Sequence, residues 1–164
     1  MQTVTLDVKT VARQRGAEKP RHPLLPPALL AFTNYWMDFR DQKLPRWDRF
    51  HLVDVQALAP YITIFKCSGE QEFEVEFMGS AVSTMLGEDL TGQRFNRMSA
   101  TVAEIDWFER CLSVLEKQDL NVFTGSANPI YTSVIDYVGG DFPFVDEGGR
   151  DVSRIVTLTV GRAS

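Results

Sequence analysis

Two cysteines, Cys67 and Cys111, and two histidines, His22 and His51, are all the thiol and imidazole that the 164 residues offer to metal chemistry. They are too few and too unpatterned for a disulfide framework or a zinc site. No apolar run approaches the roughly 20 residues that span a bilayer. The first ten residues carry Gln2, Asp7 and Lys9 among their apolar ones, so the core of a secretory signal is missing. Positive charge is short as well. Lys and Arg number 17 against 22 Asp and Glu, a net charge of -5, which argues against a general nucleic-acid binder with its basic face. A Gly-rich phosphate loop, a serine nucleophile elbow and a metal-ligand cluster are also missing. Together these absences lead us to expect a cytoplasmic protein that binds no nucleic acid.

What is present suits a single globular domain. Hydrophobic residues make up 44% and charged residues 24%, and a chain of this length buries roughly two thirds of the surface it would expose unfolded. Charge is uneven. Residues 1–25 hold Lys9, Arg13, Arg15, Lys19 and Arg21 against Asp7 and Glu18, so this part is net +3 and the remainder net -8. We therefore divide the chain into a basic, flexible arm over 1–26 and one domain over 27–161. The arm reads first as a solvated terminus, with contact to a membrane or a partner as the alternative. After His22-Pro23 and Pro26-Pro27 a helix begins, since proline suits a first helical turn. Leu29, Phe32, Trp36 and Phe39 form one apolar stripe along it.

The stretch from Phe73 to Gly92 organises the rest of the chain. Phe73, Val75 and Phe77 alternate with Glu72, Glu74 and Glu76, the period of a strand with one buried face. Gly79-Ser80 breaks it, Val82, Met85 and Leu86 come next at helical spacing, and Gly87 is placed to end that helix in a left-handed conformation. Upstream, Tyr61 to Cys67 reads as a buried strand joined to this one as a hairpin. Downstream, Thr101 and Glu104 have the form of a capping box opening a helix to about Lys117, with Cys111 as a small core residue. Strands are expected at Asn121–Ser126, Tyr131–Val138 and Val152–Val160, with a turn at Asn128-Pro129 and a bend at Gly139-Gly140-Asp141. The result is an α+β domain, a five-stranded antiparallel sheet with helices on one face and an N-terminal helix.

Several of these segments together resemble a known family. Tyr35-Trp36, Arg40, Leu44-Pro45-Arg46 and Leu58-Ala59-Pro60-Tyr61-Ile62 are followed by Phe73-x-Val75-x-Phe77-Met78-Gly79-Ser80 and by Leu86-Gly87-Glu88-Asp89-Leu90-Thr91-Gly92. From Phe32 to Val160 the chain resembles the PAS-like family common in alphaproteobacteria, whose members are small PAS-fold domains that often stand alone in sensing and signalling. It departs from the family pattern at Phe50-His51 and at Phe142-Pro143-Phe144. The resemblance implies a ligand pocket between the sheet and the helices after the second strand, near Phe77, Met85, Phe95, Trp107, Phe108 and Leu112. The plainer reading is that these six simply pack as core.

The resemblance also raises two cofactors, and the residues speak against both. The stretch Asn96-Arg97-Met98-Ser99 stands where a photoadduct flavin domain carries its reactive cysteine. Residues 102–117 contain no histidine to ligate haem, and His22 and His51 lie outside the expected pocket. Covalent flavin and haem are therefore disfavoured, and the cofactor is left unnamed. An enzyme of the NTF2-like kind could use Asp106, Asp136 and Tyr131, but no histidine is placed to join them in acid–base work. We expect a non-enzymatic sensory module that binds a small ligand or a partner protein, with a pure interaction adaptor as a further alternative. Partners expected are a signalling protein and a second copy, because aromatic groups on several sides of the helix over 27–40 suggest a homodimer.

Overall fold

The computed structural model describes residues 25–40, 44–127 and 134–162. The basic arm up to residue 24, the turn at Asn128-Pro129 and Tyr131 lie outside the described residues. Helix α1, Pro27–Asp38, starts with proline in its first turn, where the missing N–H costs nothing. Two 3-10 segments, Trp47–Arg49 and Leu52–Tyr61, lead into β1, Ile62–Gly69. A tight turn with Gln71 at φ 56° joins β1 to β2, Glu72–Met78. Helix α2, Ser80–Leu86, ends on Gly87 at φ 85°, the left-handed cap its sequence called for. Next come β3, Arg94–Phe95; α3, Val102–Lys117; β4, Asn121–Ala127; β5, Ile135–Val145; and β6, Val152–Gly161.

The strands form one antiparallel sheet in the order β3-β2-β1-β6-β5-β4. Among the described residues it has six strands where the sequence suggested five. The additional strand is the two-residue β3, and backbone bonds account for it. Val75 N–H donates to Gln93 O at 2.8 Å and Gly92 N–H to Val75 O at 2.7 Å, which hold the glycine corner against β2.

The two faces of the sheet carry different chemistry. On one, Leu29, Phe32 and Trp36 of α1 pack on β5 and β6. Phe32 meets Phe142 edge-on at 4.8 Å between ring centroids, and Trp36 Nε1–H donates to Pro143 O at 2.9 Å. Phe50 and Trp47 stack at 4.9 Å, and both reach Phe144. The two places where the sequence departs from its family pattern are thus in mutual contact within one aromatic cluster. Tyr35 and Phe39, on another side of α1, pack on each other and Tyr35 on Phe50. The aromatic groups that suggested a homodimer already have neighbours in the same chain. The opposite, concave face presents Thr63, Phe65, Thr157 and Thr159, and α3 lies over it.

Two expectations need correction. Phe77 does not share a face with Phe73 and Val75. Ile64 pairs with Phe77 but Phe65 pairs with Val75, so Glu76 is one residue too many for β1 and the strand bulges. The bulge reverses the alternation. Phe73, Val75 and Met78 are buried, Phe77 is half-buried on the α1 side, and Glu76 meets Arg154 Nε at 2.7 Å. Nor does the chain bend at Gly139-Gly140-Asp141. Strand β5 runs straight through, since a Cβ on Gly139 would lie 2.3 Å from Leu158 O and 2.4 Å from Phe123 Cζ. The glycines make room for neighbours rather than turn the chain.

Trp36→Ala is expected to cost about 3–5 kcal/mol in urea unfolding, the range for truncating a buried aromatic, and Phe77→Ala distinctly less. Equal losses would mean that the bulge at Glu76 is absent. Gly79 is the most tightly enclosed glycine among the described residues: a Cβ there would sit 2.2 Å from Ala59 O and 2.4 Å from Pro60 O, both backbone atoms. Gly79→Ala should therefore lose about 1–3 kcal/mol or more, while Gly148→Ala, whose nearest neighbour would be 3.4 Å away, should be nearly silent.

Candidate functional site

Helix α3 begins as its sequence demands. Thr101 Oγ1 accepts the Glu104 N–H at 3.3 Å, which satisfies one orphan donor of the first turn. Phe108, Cys111 and Val114 then face the sheet. Arg110 goes with them, only 6% exposed, and this the hydrophobic stripe did not foretell. A buried cation needs a counter-charge, and Asp141 on β5 supplies it. Arg110 Nε lies 3.2 Å from Asp141 Oδ2, with Asp141 1% exposed. The carboxylate is further held by Thr157 Oγ1–H, donating to Oδ1 at 2.7 Å, and by Asn121 Nδ2–H, donating to Oδ2 at 3.2 Å. The guanidinium carbon sits 3.6 Å from the centroid of the Phe123 ring, a cation–π contact shielded from water.

Beside this pair is a small, partly open cavity of about 30 Å³, bordered by Thr63, Phe65, Val82, Met85, Leu86, Trp107, Arg110, Phe123, Tyr137, Thr157 and Thr159. That is space for about two waters. An open groove of about 530 Å³ lies next to it, lined by Asp106, Thr124, Gly125, Ser126, Asp136, Tyr137 and Arg162. Tyr137 borders both. Burial pushes its phenol above the usual tyrosine range, with Arg110 pulling the other way and Asp106 adding to the rise.

Of the six residues singled out from sequence, Met85 and Trp107 reach the cavity wall. Phe95 and Phe108 are fully buried one layer away, both packing on Phe73 with centroids 5.9 Å apart. Leu112 is half-buried against the core, and Phe77 is on the other face of the sheet. Sequence reasoning misses the polar members Arg110, Asp141, Asn121 and Thr157. The one available signal is Asp141 itself, an acid between two apolar runs, which after two glycines has the look of a surface bend.

The buried Cys111 and the half-buried Cys67 make a pH test. Burial raises Cys111 well above its normal range and Cys67 to about 11, the latter against some relief from Arg154. With a folded-state pKa above the unfolded one, the folded state keeps protons that the unfolded chain releases. Stability is then unaffected below about pH 9 and falls as pH rises through about 11. Urea midpoints measured across this range should decline, and Cys67→Ala should blunt the decline. A flat profile in the parent protein would contradict the burial of these thiols.

Comparison with known proteins agrees with this fold. A family profile described as PAS domain matches residues 24–135, more than half of the chain. No curated protein sequence matches. Among solved structures, a light-oxygen-voltage domain studied with a flavin analogue superposes with a TM-score of 0.52 at 13% identity, covering 71% of this chain and 87% of that one. The dark structure of the LOV domain of the blue-light photoreceptor Aureochrome1 gives 0.50 at 12% identity, covering 76% and 90%.

Proposed function

The chain belongs to the PAS domain family, and from that premise we propose that it is a non-enzymatic sensory module whose signal is a small ligand received between α3 and the concave face of the sheet. One observation carries the proposal. An ion pair, Arg110–Asp141, is kept almost free of water beside a cavity whose wall is shared with an open groove. Structural stability gives little reason for such a pair, because well-packed apolar side chains in its place are often neutral or stabilising. Buried polar groups that converge on a cavity are the usual specificity elements of a ligand site.

Flavin, the group named for one of the superposed light-oxygen-voltage domains, does not fit this interior. Ligand pockets for molecules of that size run to about 300–1,000 Å³, whereas the space here is about 30 Å³ and Phe65, Trp107 and Phe123 stand around it. The ligand is smaller. Asp106 and Asp136, the carboxylates considered for acid–base chemistry, lie in the groove outside, where Asp136 accepts a hydrogen bond from Ser126 Oγ–H at 2.6 Å.

A sensor of this kind passes its signal to another chain. Both aromatic sides of α1 are covered, and Pro27, Ala31 and Asp38 are more open to solvent than they are. We propose this outer side, within residues 27–40, as the contact for a signalling protein or for a second copy.

Thermal melts of the full chain against a library of small metabolites test the ligand reading. A ligand at a hundred times its Kd adds about 2.7 kcal/mol of stability, a rise of about 5–10 °C in Tm for a domain of this size, accompanied by a change in tryptophan fluorescence that a Trp107→Phe variant should lose. A library without a single stabilising compound, with the protein shown to capture a partner chain regardless, would replace the sensor by an interaction adaptor.

A further inference from the structure

The sheet ends in two edges, and they are guarded very differently. Strand β3 is Arg94 and Phe95 alone, too short to seat another strand, and its Arg94 is exposed. Strand β4 runs over seven residues, Asn121–Ala127, with neither proline nor charge in it. It pairs with β5 at all seven positions without a bulge. Among the described residues nothing but β5 pairs with it. A regular, uncharged edge of this length offers a row of backbone donors and acceptors to an extended chain, and stable proteins cover such edges. The open groove of about 530 Å³ lies along its second half, with Thr124, Gly125 and Ser126 in its lining.

The basic arm contains a segment that suits this edge. Thr3-Val4-Thr5-Leu6-Asp7-Val8-Lys9 is also seven residues long, alternates polar with apolar side chains, and is rich in β-branched residues. Its tether ends in the right place. Leu25 is buried at the foot of α1. One turn further on, Leu29 Cδ1 would lie 3.1 Å from a Cβ on Gly140, the residue of β5 that pairs with Val122 of β4. The arm therefore leaves the domain within about 15 Å of β4, a helical turn and a strand spacing away. The fifteen residues between Lys9 and Leu25 reach about 50 Å when extended.

Charge points the same way. Those fifteen residues carry Arg13, Arg15, Lys19 and Arg21 against Glu18, net +3. The groove beside β4 carries Asp106 and Asp136 against Arg162, on a domain that is itself net negative. We propose that residues 3–9 add to the outer edge of β4 as a further strand of the same chain, with the basic linker laid along the groove. A tether of this length holds the segment at an effective concentration of about 1 mM, so at micromolar protein the chain's own arm outcompetes that of a second copy. The added strand closes the edge whatever the interior cavity receives.

Amide hydrogen exchange and nuclear Overhauser contacts on the full chain test the proposal. The amides of residues 3–9 should exchange at least about tenfold more slowly than those of an unstructured peptide. Cross-strand contacts should join residues 3–9 to residues 121–127, and in a mixture of labelled and unlabelled chains they should arise within single chains. Leu6→Pro removes a ladder donor from the middle of the added strand. In that variant the protection of residues 3–9 should disappear and amides of β4 should exchange about tenfold faster, while those of α1 and β5 keep their rates and show that the domain is folded. Contacts found between labelled and unlabelled chains alone would give the edge to a second copy's arm and overturn the proposal. Unstructured exchange rates over residues 3–9, protection there that arises only on anionic vesicles, or β4 rates unmoved by Leu6→Pro would each overturn it too.

Discussion

Two opposite charges held where almost no water reaches set the terms for the packing around them. Arg110 and Asp141 come from a helix and a strand 31 positions apart in the chain, and neither tolerates the interior alone. Their attraction fixes which turn of α3 rests over which point of β5. The surrounding residues answer that requirement. Thr157 and Asn121 are the small polar groups that complete the carboxylate, Phe123 covers the guanidinium, and Gly139 leaves space for the Phe123 ring. Removing one charge leaves the other without compensation, which is why the pair acts as a unit.

Strand β5 connects the two faces of the domain. Asp141 points into the concave side, and Phe142, the next residue, points out against Phe32 and Trp36 of α1. Pro143 contributes the carbonyl that holds the Trp36 indole. The buried charge and the seat of α1 are thus adjacent residues on a pleated strand, where successive side chains point to opposite faces. A displacement of Asp141 reaches the α1 seat without any intervening loop. This is a short physical route from interior to surface, and close-packed cores pass shifts on instead of absorbing them.

The glycines of this chain do three separate jobs. Gly87 and Gly92, at φ 85° and 88°, are needed for their left-handed backbone. Gly79 is needed because the Ala59-Pro60 backbone passes directly over it, and Gly125 and Gly139 because aromatic rings lie against them. Only the first group can be inferred from local spacing. The others depend on chain segments distant in sequence.

Much of the fold is legible in the sequence because local rules decide it. Proline at the start of α1, the Thr101–Glu104 cap, the Gly87 stop and the hairpin before Phe73 each rest on neighbours a few residues away, and the family motifs cover the same segments. The bulge at Glu76 is not legible, because strand alternation is a property of one strand whereas register belongs to a pair. Nor is the run of β5 through Gly139-Gly140, since glycine pairs signal a turn unless a ring from elsewhere claims the space. The site shows the same division. Met85 and Trp107 follow from the family resemblance and its pocket, but Arg110 and Asp141 in isolation look like ordinary surface charges. Sequence alone determined the helices and most of the strands; the tertiary structure decided which charges are inside, because a buried ion pair is specified by two distant residues at once and by neither of them alone.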